Sequence, residues 1–233
     1  MQNSSTTAVA AHSNETQQQT IRWLLDSDPA IRWQVMRDLL DSPAEDVEAE
    51  RAMVSTTGWG RQLLDRQDPE GSWAGGLYSP KWTSTTYTLL LLRHCGLDPT
   101  DEQAQRGVTL IWEGARYFDG GLTPAVSVDA PEACATSLYL ALAFYFEVDH
   151  PNVADALNWL LANQLDDGGW NCRTVRFGDR HSSFHTSISA LEALAEAQHR
   201  LSGRADIADA LAAGREFFLR HRLYKSHRHG TIA

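Results

Sequence analysis

The sequence predicts an all-α fold built as an array of helical hairpins. A turn of the form Gln-x-x-x-Gly-x-Trp occurs at Gln67–Trp73 and again at Gln164–Trp170. A reduced copy, Phe118-Asp-Gly120-Gly-Leu122, lies between them with Leu in the Trp place. Trp73, Leu122 and Trp170 therefore stand 49 and 48 residues apart, and a fixed period of this length marks stacked supersecondary units. An amphipathic helical pattern precedes each turn and a more uniformly apolar one follows it. No alternating strand pattern of useful length is present.

The elements follow in order. Residues 1–18 are rich in Gln, Ser, Thr and Asn and read as a disordered tail, leaving a single repeat domain over 19–233. A short helix over Thr20–Leu25 stops at Asp26-Ser-Asp28-Pro29. There Asp28 is a cap and Pro29 a first-turn proline for a second helix, Pro29–Leu40. A third runs from Pro43 to Leu64 with a break near Thr56-Thr-Gly58. The outer, amphipathic helices are Gly60–Arg66, Gln103–Tyr117, Val153–Asn163 and Ile207–Arg222. The inner, apolar ones are Thr85–Cys95, Glu132–Phe146 and Phe184–Gln198. Leu138–Phe146 is hydrophobic on every side, as a helix buried all round must be. In each turn the glycine supplies the positive φ that ends a helix, while Gln and Trp can tie the turn to its neighbour.

Composition narrows the function. A net charge of −10 gives nothing to neutralise phosphates, so no nucleic-acid partner is expected. No apolar run, Leu89–Leu92 and Leu138–Phe146 included, is long enough to span a bilayer, so no transmembrane segment is expected. Three cysteines, an odd number, with no secretory leader pattern point to a reducing, cytoplasmic setting.

The Gln-x-x-x-Gly-x-Trp turns, the period near 48 and the alternation of outer and inner helices resemble the α/α toroid superfamily. That group holds the squalene and other terpenoid cyclases and the β subunits of protein prenyltransferases. The resemblance covers about Arg61 to Arg222 and, more weakly, Ile21 to Leu40. It implies a ring of hairpins, here incomplete or open, whose inner helices aim their N-termini at a cavity for an isoprenoid or other lipophilic ligand. About four hairpins fit the chain where closed rings of the family have five to seven. A protein partner or a homodimer completing the ring is one expectation.

Two site motifs of that superfamily can be compared. The prenyltransferase β subunits hold zinc with an Asp-x-Cys at the start of one inner helix and an aromatic-His-Thr at the start of the next. Glu132-Ala-Cys134 resembles the first, with Glu for Asp, and Phe184-His185-Thr186 is similar to the second. The cyclase motif Asp-x-Asp-Asp-Thr is absent as such. In its place stands Asp129-Ala-Pro-Glu132-Ala-Cys134, where Asp129 or Glu132 would have to be the proton donor of a terpene cyclase-type reaction.

Zinc takes about four N, S or O ligands, with Cys and His preferred, and Glu132, Cys134, Cys172 and His185 supply that number. Cys172 has no counterpart in the prenyltransferase motif. As a fourth ligand it would close the site and make the zinc structural; unliganded, it would leave a position for substrate. The alternative reading of Cys134 and Cys172 is as small core fillers, with His185 as a helix cap. His181 is a further candidate ligand, and the basic run from Arg220 through Arg228, with His221, His227 and His229, reads as a solvated helix end able to accept an anion. Three functions are thus expected: a prenyltransferase-like zinc protein with a lipophilic ligand, a non-catalytic helical-repeat scaffold with structural zinc, or a cyclase using Asp129 or Glu132.

Overall fold

The computed structural model describes residues 15–226 and 230–232. The chain is mostly helical, as expected, and divides into two compact units. One contains the residues up to Arg66 together with Leu91–Asp98; the other contains Gln67–Leu90 and the residues from Pro99 onward.

In the first unit, helix α1 covers residues 15–25 and so begins earlier than Thr20, while residues 1–14 of the expected tail lie outside the described residues. Helix α2 (Pro29–Asp38) has the expected cap, with the Asp28 side chain accepting from the Ala30 N–H at 3.0 Å and Pro29 at its first position. The other oxygen of Asp28 accepts from the Trp59 N–H at 2.7 Å, at the start of α4 (Gly58–Leu64). The break expected near Thr56–Gly58 is present. It separates α3 (Ala44–Ala52) and a 3-10 turn (Met53–Ser55) from α4, and Gly58 takes φ +68° there. The Trp33 indole donates to the Cys95 carbonyl at 2.8 Å, which fixes Cys95 as a buried structural residue. Burial pushes its thiol up to about 11, so it is inert at neutral pH.

The second unit carries the repeats. Helix α5 (Thr85–Cys95) starts here and continues into the first unit. Then come α6 (Glu102–Glu113), β1 (Arg116–Phe118), β2 (Gly121–Thr123), α7 (Ala133–Tyr145) and α8 (Val153–Ala162). A one-turn α9 (Thr174–Phe177), α10 (Phe184–Arg200) and α11 (Ala205–Arg220) complete it. The inner helices α7 and α10 pack on each other, α7 also meets α6 and α8, and α11 meets α10 and α8. Nearly every residue of α7 from Ala133 to Phe144 is buried, which its all-round apolar sequence demands.

One expectation is corrected. The outer helix taken to reach Tyr117 stops at Glu113 with Gly114 as its cap, and a two-stranded antiparallel hairpin follows, pairing Tyr117 with Leu122. Three residues per strand are too few to show a period of two, so the hairpin was not legible.

The turns repeat in physical detail. Gly71, Gly120 and Gly168 adopt φ of +96°, +98° and +97°. In each copy the backbone N–H at the Trp or Leu position donates to a hydroxyl in the next inner helix: Trp73 to Thr85 at 3.0 Å, Leu122 to Thr136 at 3.1 Å, Trp170 to Ser187 at 2.9 Å. The glutamine ties each full turn to the next outer helix. Gln67 donates to the Gly71 carbonyl at 3.0 Å and the Gln103 carbonyl at 2.7 Å; Gln164 donates to Gly168 at 2.7 Å and Ala210 at 2.9 Å. One helical turn beyond each outer-helix acceptor stands a glycine on which the tryptophan rests. A Cβ at Gly107 would lie 2.8 Å from the Trp73 ring, and one at Gly214 would lie 3.1 Å from the Trp170 ring. The middle copy inverts the sizes. There the large residue is Trp159 on α8, and a Cβ on Gly121 of the turn would lie 2.5 Å from its ring.

Candidate functional site

The site grows from the start of α7. Glu132 is the N-cap residue, with extended backbone (φ −122°, ψ 120°) and no side-chain capping bond. Its N–H donates to the Leu122 carbonyl at 3.0 Å and its Oε2 accepts from the Thr123 hydroxyl at 2.8 Å, so β2 holds the carboxylate in place. Cys134 stands two residues on, in the first turn. Cys172 comes from the loop that leaves the Gln164–Trp170 turn. Its N–H donates to the Thr186 hydroxyl at 3.3 Å, and Thr186 is buried in the first turn of α10. Two successive repeats thus deliver one thiol each.

The thiols influence one another. Cys134 and Cys172 are both free and half-buried, and side-chain hydrogen bonding with the other is the leading influence on the ionisation of each. That bond is the main reason the Cys172 thiol is lowered to about 6; the Thr186 hydroxyl adds to the effect, while burial and the Glu132 charge oppose it. The same bond is the main cause raising the Cys134 thiol, helped by burial and by the charges of Cys172 and Glu132. The pair behaves as one dithiol that loses a first proton easily and a second with difficulty. In metal-free protein, alkylation of Cys172 should show a half-maximal rate near pH 6, since its thiolate fraction rises as pH climbs through that value. Cys134→Ala should move the inflection up toward the ordinary thiol range of about 8.5. Iodoacetamide rates followed by mass spectrometry check this; an unmoved inflection contradicts it.

An aromatic group flanks the thiols. Burial, then the hydrogen bond the phenol donates to Tyr87, push Tyr78 up, with smaller contributions from the charges of Tyr87, Cys134 and Glu132. Tyr78 lies 5.5 Å from Tyr87 and Trp82 lies 5.2 Å from Tyr87, ring centre to ring centre. Trp82 is 77% exposed, so the group runs from the surface inward. Tyr87 lies in the first turn of α5 and Trp82 just before it. Tyr78 was missed, and only its place five residues after Trp73 in the turn would have pointed to it.

The remaining candidates lie apart. His185 is exposed at the start of α10 and lines a cavity of about 800 Å³ with His181, Phe184, Phe217, Arg220 and His221, among others. The hydroxyl contacts explain the separation. Cys134 and His185 each stand two residues before the hydroxyl that receives a turn N–H, Thr136 and Ser187, so they hold equivalent places. Cys134 meets the loop that follows α8, and His185 lines a cavity bounded by the segment that follows α11. Each reaches onward along the array. Asp129 is on the surface, its side chain 85% exposed and paired with Arg116 at 2.8 Å. That surface ion pair leaves Asp129 out of the thiol cluster. His227, Arg228 and His229 lie outside the described residues.

Among the described residues no three His, Cys, Asp or Glu side chains are already gathered as a metal would require. The donor chemistry nonetheless suits zinc: two sulfurs in contact, with a carboxylate close enough to oppose ionisation of both. Among the same residues no helix is long and apolar enough to cross a membrane. No family model, no curated protein and no solved structure matches the chain.

Proposed function

We propose that this chain is a squalene cyclase- and prenyltransferase-like α/α repeat protein that binds zinc through Cys134, Cys172 and Glu132. The observation that carries the proposal is the contact of two thiols from successive repeats beside the N-cap carboxylate of an inner helix. Three groups that take negative charge on losing a proton repel one another there, and a divalent cation relieves that repulsion. Glu132, whose carboxylate is held by Thr123, would supply a third ligand. Support for the toroid-like architecture comes from the repeated joint, in which each turn clamps the next outer helix and donates to the next inner helix.

When bound, zinc holds thiolates deprotonated and polarises an oxygen or sulfur ligand in any open position. The chain's own residues shape the surroundings. The Thr186 hydroxyl accepts from the Cys172 N–H, Thr123 orients Glu132, and Tyr78, Tyr87 and Trp82 offer an aromatic wall for a lipophilic ligand. Metal analysis of purified protein tests the proposal. One zinc per chain is expected, lost in Cys134→Ala and in Cys172→Ala, and wild-type protein that takes up no zinc overturns it. His185→Ala reports whether the histidine turns in to close the site: full retention of zinc leaves it outside the ligand set.

A further inference from the structure

We propose that the cavity between the start of α10 and the end of α11 is a second ligand site, one that takes a small molecule with a single carboxylate on an aromatic body. The site is separate from the thiols and does not depend on zinc. Cys134 and His185 hold equivalent places at the starts of successive inner helices, and the two places carry opposite chemistry. The one at the start of α7 has a thiol and Glu132; the one at the start of α10 has His181, His185, Arg220 and His221. The first set suits a cation and the second an anion.

The size and the walls of the cavity define the body of the ligand. Its volume of about 800 Å³ falls within the range of small-molecule sites, roughly 300–1,000 Å³. Part of the lining is aromatic and already packed. Phe184 lies 5.4 Å from Phe217, and the His221 ring lies 4.4 Å from Phe217 and 5.4 Å, edge-on, from Phe184. The His221 Nδ1–H donates to the Phe217 carbonyl at 2.8 Å, which fixes that ring. A flat ring settles on such a surface without reordering it, so little binding energy is lost to reorganisation.

The polar groups define the head. Arg220 ends α11, lines the cavity and has no carboxylate partner among the described residues. Its guanidinium fork matches the two oxygens of one carboxylate. At the start of α10 the Ser183 hydroxyl takes the Thr186 N–H, which leaves the N–H groups of Phe184 and His185 without an acceptor among the described residues. The groups that would repel an anion are occupied. Asp167, a carboxylate in the lining, accepts from the Ser182 N–H at 2.9 Å and from the Ser182 hydroxyl. The carbonyls of Phe218 and Leu219, near the end of α11, accept from the Leu223 and Arg222 N–H groups, each at 2.9 Å. A single negative charge is therefore matched by Arg220. A diphosphate would bring more charge than one guanidinium balances, and it would face Asp167 as well.

Isothermal titration of the full-length chain with 2-naphthoate tests this, with 2-naphthylmethanol as the neutral analogue and inorganic diphosphate as a competitor. Saturable binding of one naphthoate per chain is expected, with the alcohol about tenfold weaker or more and no displacement by diphosphate. Arg220→Gln should lower naphthoate affinity about tenfold, toward that of the alcohol, and leave the alcohol's own affinity unchanged. Arg220→Lys should recover part of the loss. Arg222→Gln, two residues on and outside the cavity lining, should bind naphthoate as the wild type does. Arg220 is exposed, so its variants should fold, which circular dichroism checks. No saturable binding of naphthoate, equal binding of the alcohol, or displacement by diphosphate overturns the proposal. So does an unchanged affinity in Arg220→Gln, or an equal loss in Arg222→Gln. Naphthoate binding by a chain that takes up no zinc leaves this site standing and removes the metal reading. Zinc uptake without naphthoate binding does the reverse.

Discussion

Trp170→Ala is expected to destabilise the second unit by about 3–5 kcal/mol, the cost of emptying a fully buried aromatic site. Trp170 is 0% exposed, and its indole donates to the Leu160 carbonyl at 2.8 Å in the last turn of α8. Its ring rests over Gly214 of α11, and its backbone N–H is held by Ser187 of α10. Two helices, α8 and α11, therefore lose a shared side-chain contact at once, while the backbone bond to α10 remains. The loss is comparable with the whole stability of many domains, about 5–15 kcal/mol. Guanidinium unfolding followed by circular dichroism measures it, and a loss below about 1 kcal/mol would mean that the joint is not a structural keystone.

Gly168→Ala should cost more than an unfavourable φ alone. At +97° any Cβ is strained, by about 1–2 kcal/mol. In addition the new Cβ would stand 2.5 Å from the Ala213 carbonyl oxygen, a backbone atom of α11 that cannot rotate away. Gly203, with φ +92° and nothing within 4 Å of its built Cβ, provides the control. Gly203→Ala should show the strain alone, and Gly168→Ala should exceed it by about 1–3 kcal/mol for the overpacked contact. Equal losses in the two variants, read from the same denaturation curves, would remove the collision from the account.

These joints show what sequence could and could not reveal. Gln, Gly and Trp recur at fixed offsets within each full turn, so the period and the order of outer and inner helices were readable. The hydroxyls of Thr85, Thr136 and Ser187 were not, because the loops between turn and helix differ in length and no fixed spacing exposes them. Gly107 and Gly214 were equally silent, since each matters only against an indole from another element. The thiol pair was partly legible. Glu132 and Cys134 at one inner helix start and Cys172 in the following turn pointed to a shared place, and the ionisation of each thiol responds to the other and to Glu132. His185 was grouped with them by its equivalence to Cys134. Equivalence in a repeat gives a parallel direction rather than a common target, so His185 lines the next cavity along.

The central claim is that Cys134 and Cys172 are two ligands of one metal ion. Cobalt(II), which takes zinc's ligands and reports thiolate bonds as intense near-ultraviolet absorption, tests it most directly. Titration of the metal-free chain should saturate at one cobalt with absorption for two thiolates, halved or lost in Cys134→Ala and in Cys172→Ala and discharged by zinc. No thiolate absorption in the wild type, or absorption unchanged by either substitution, would contradict the account.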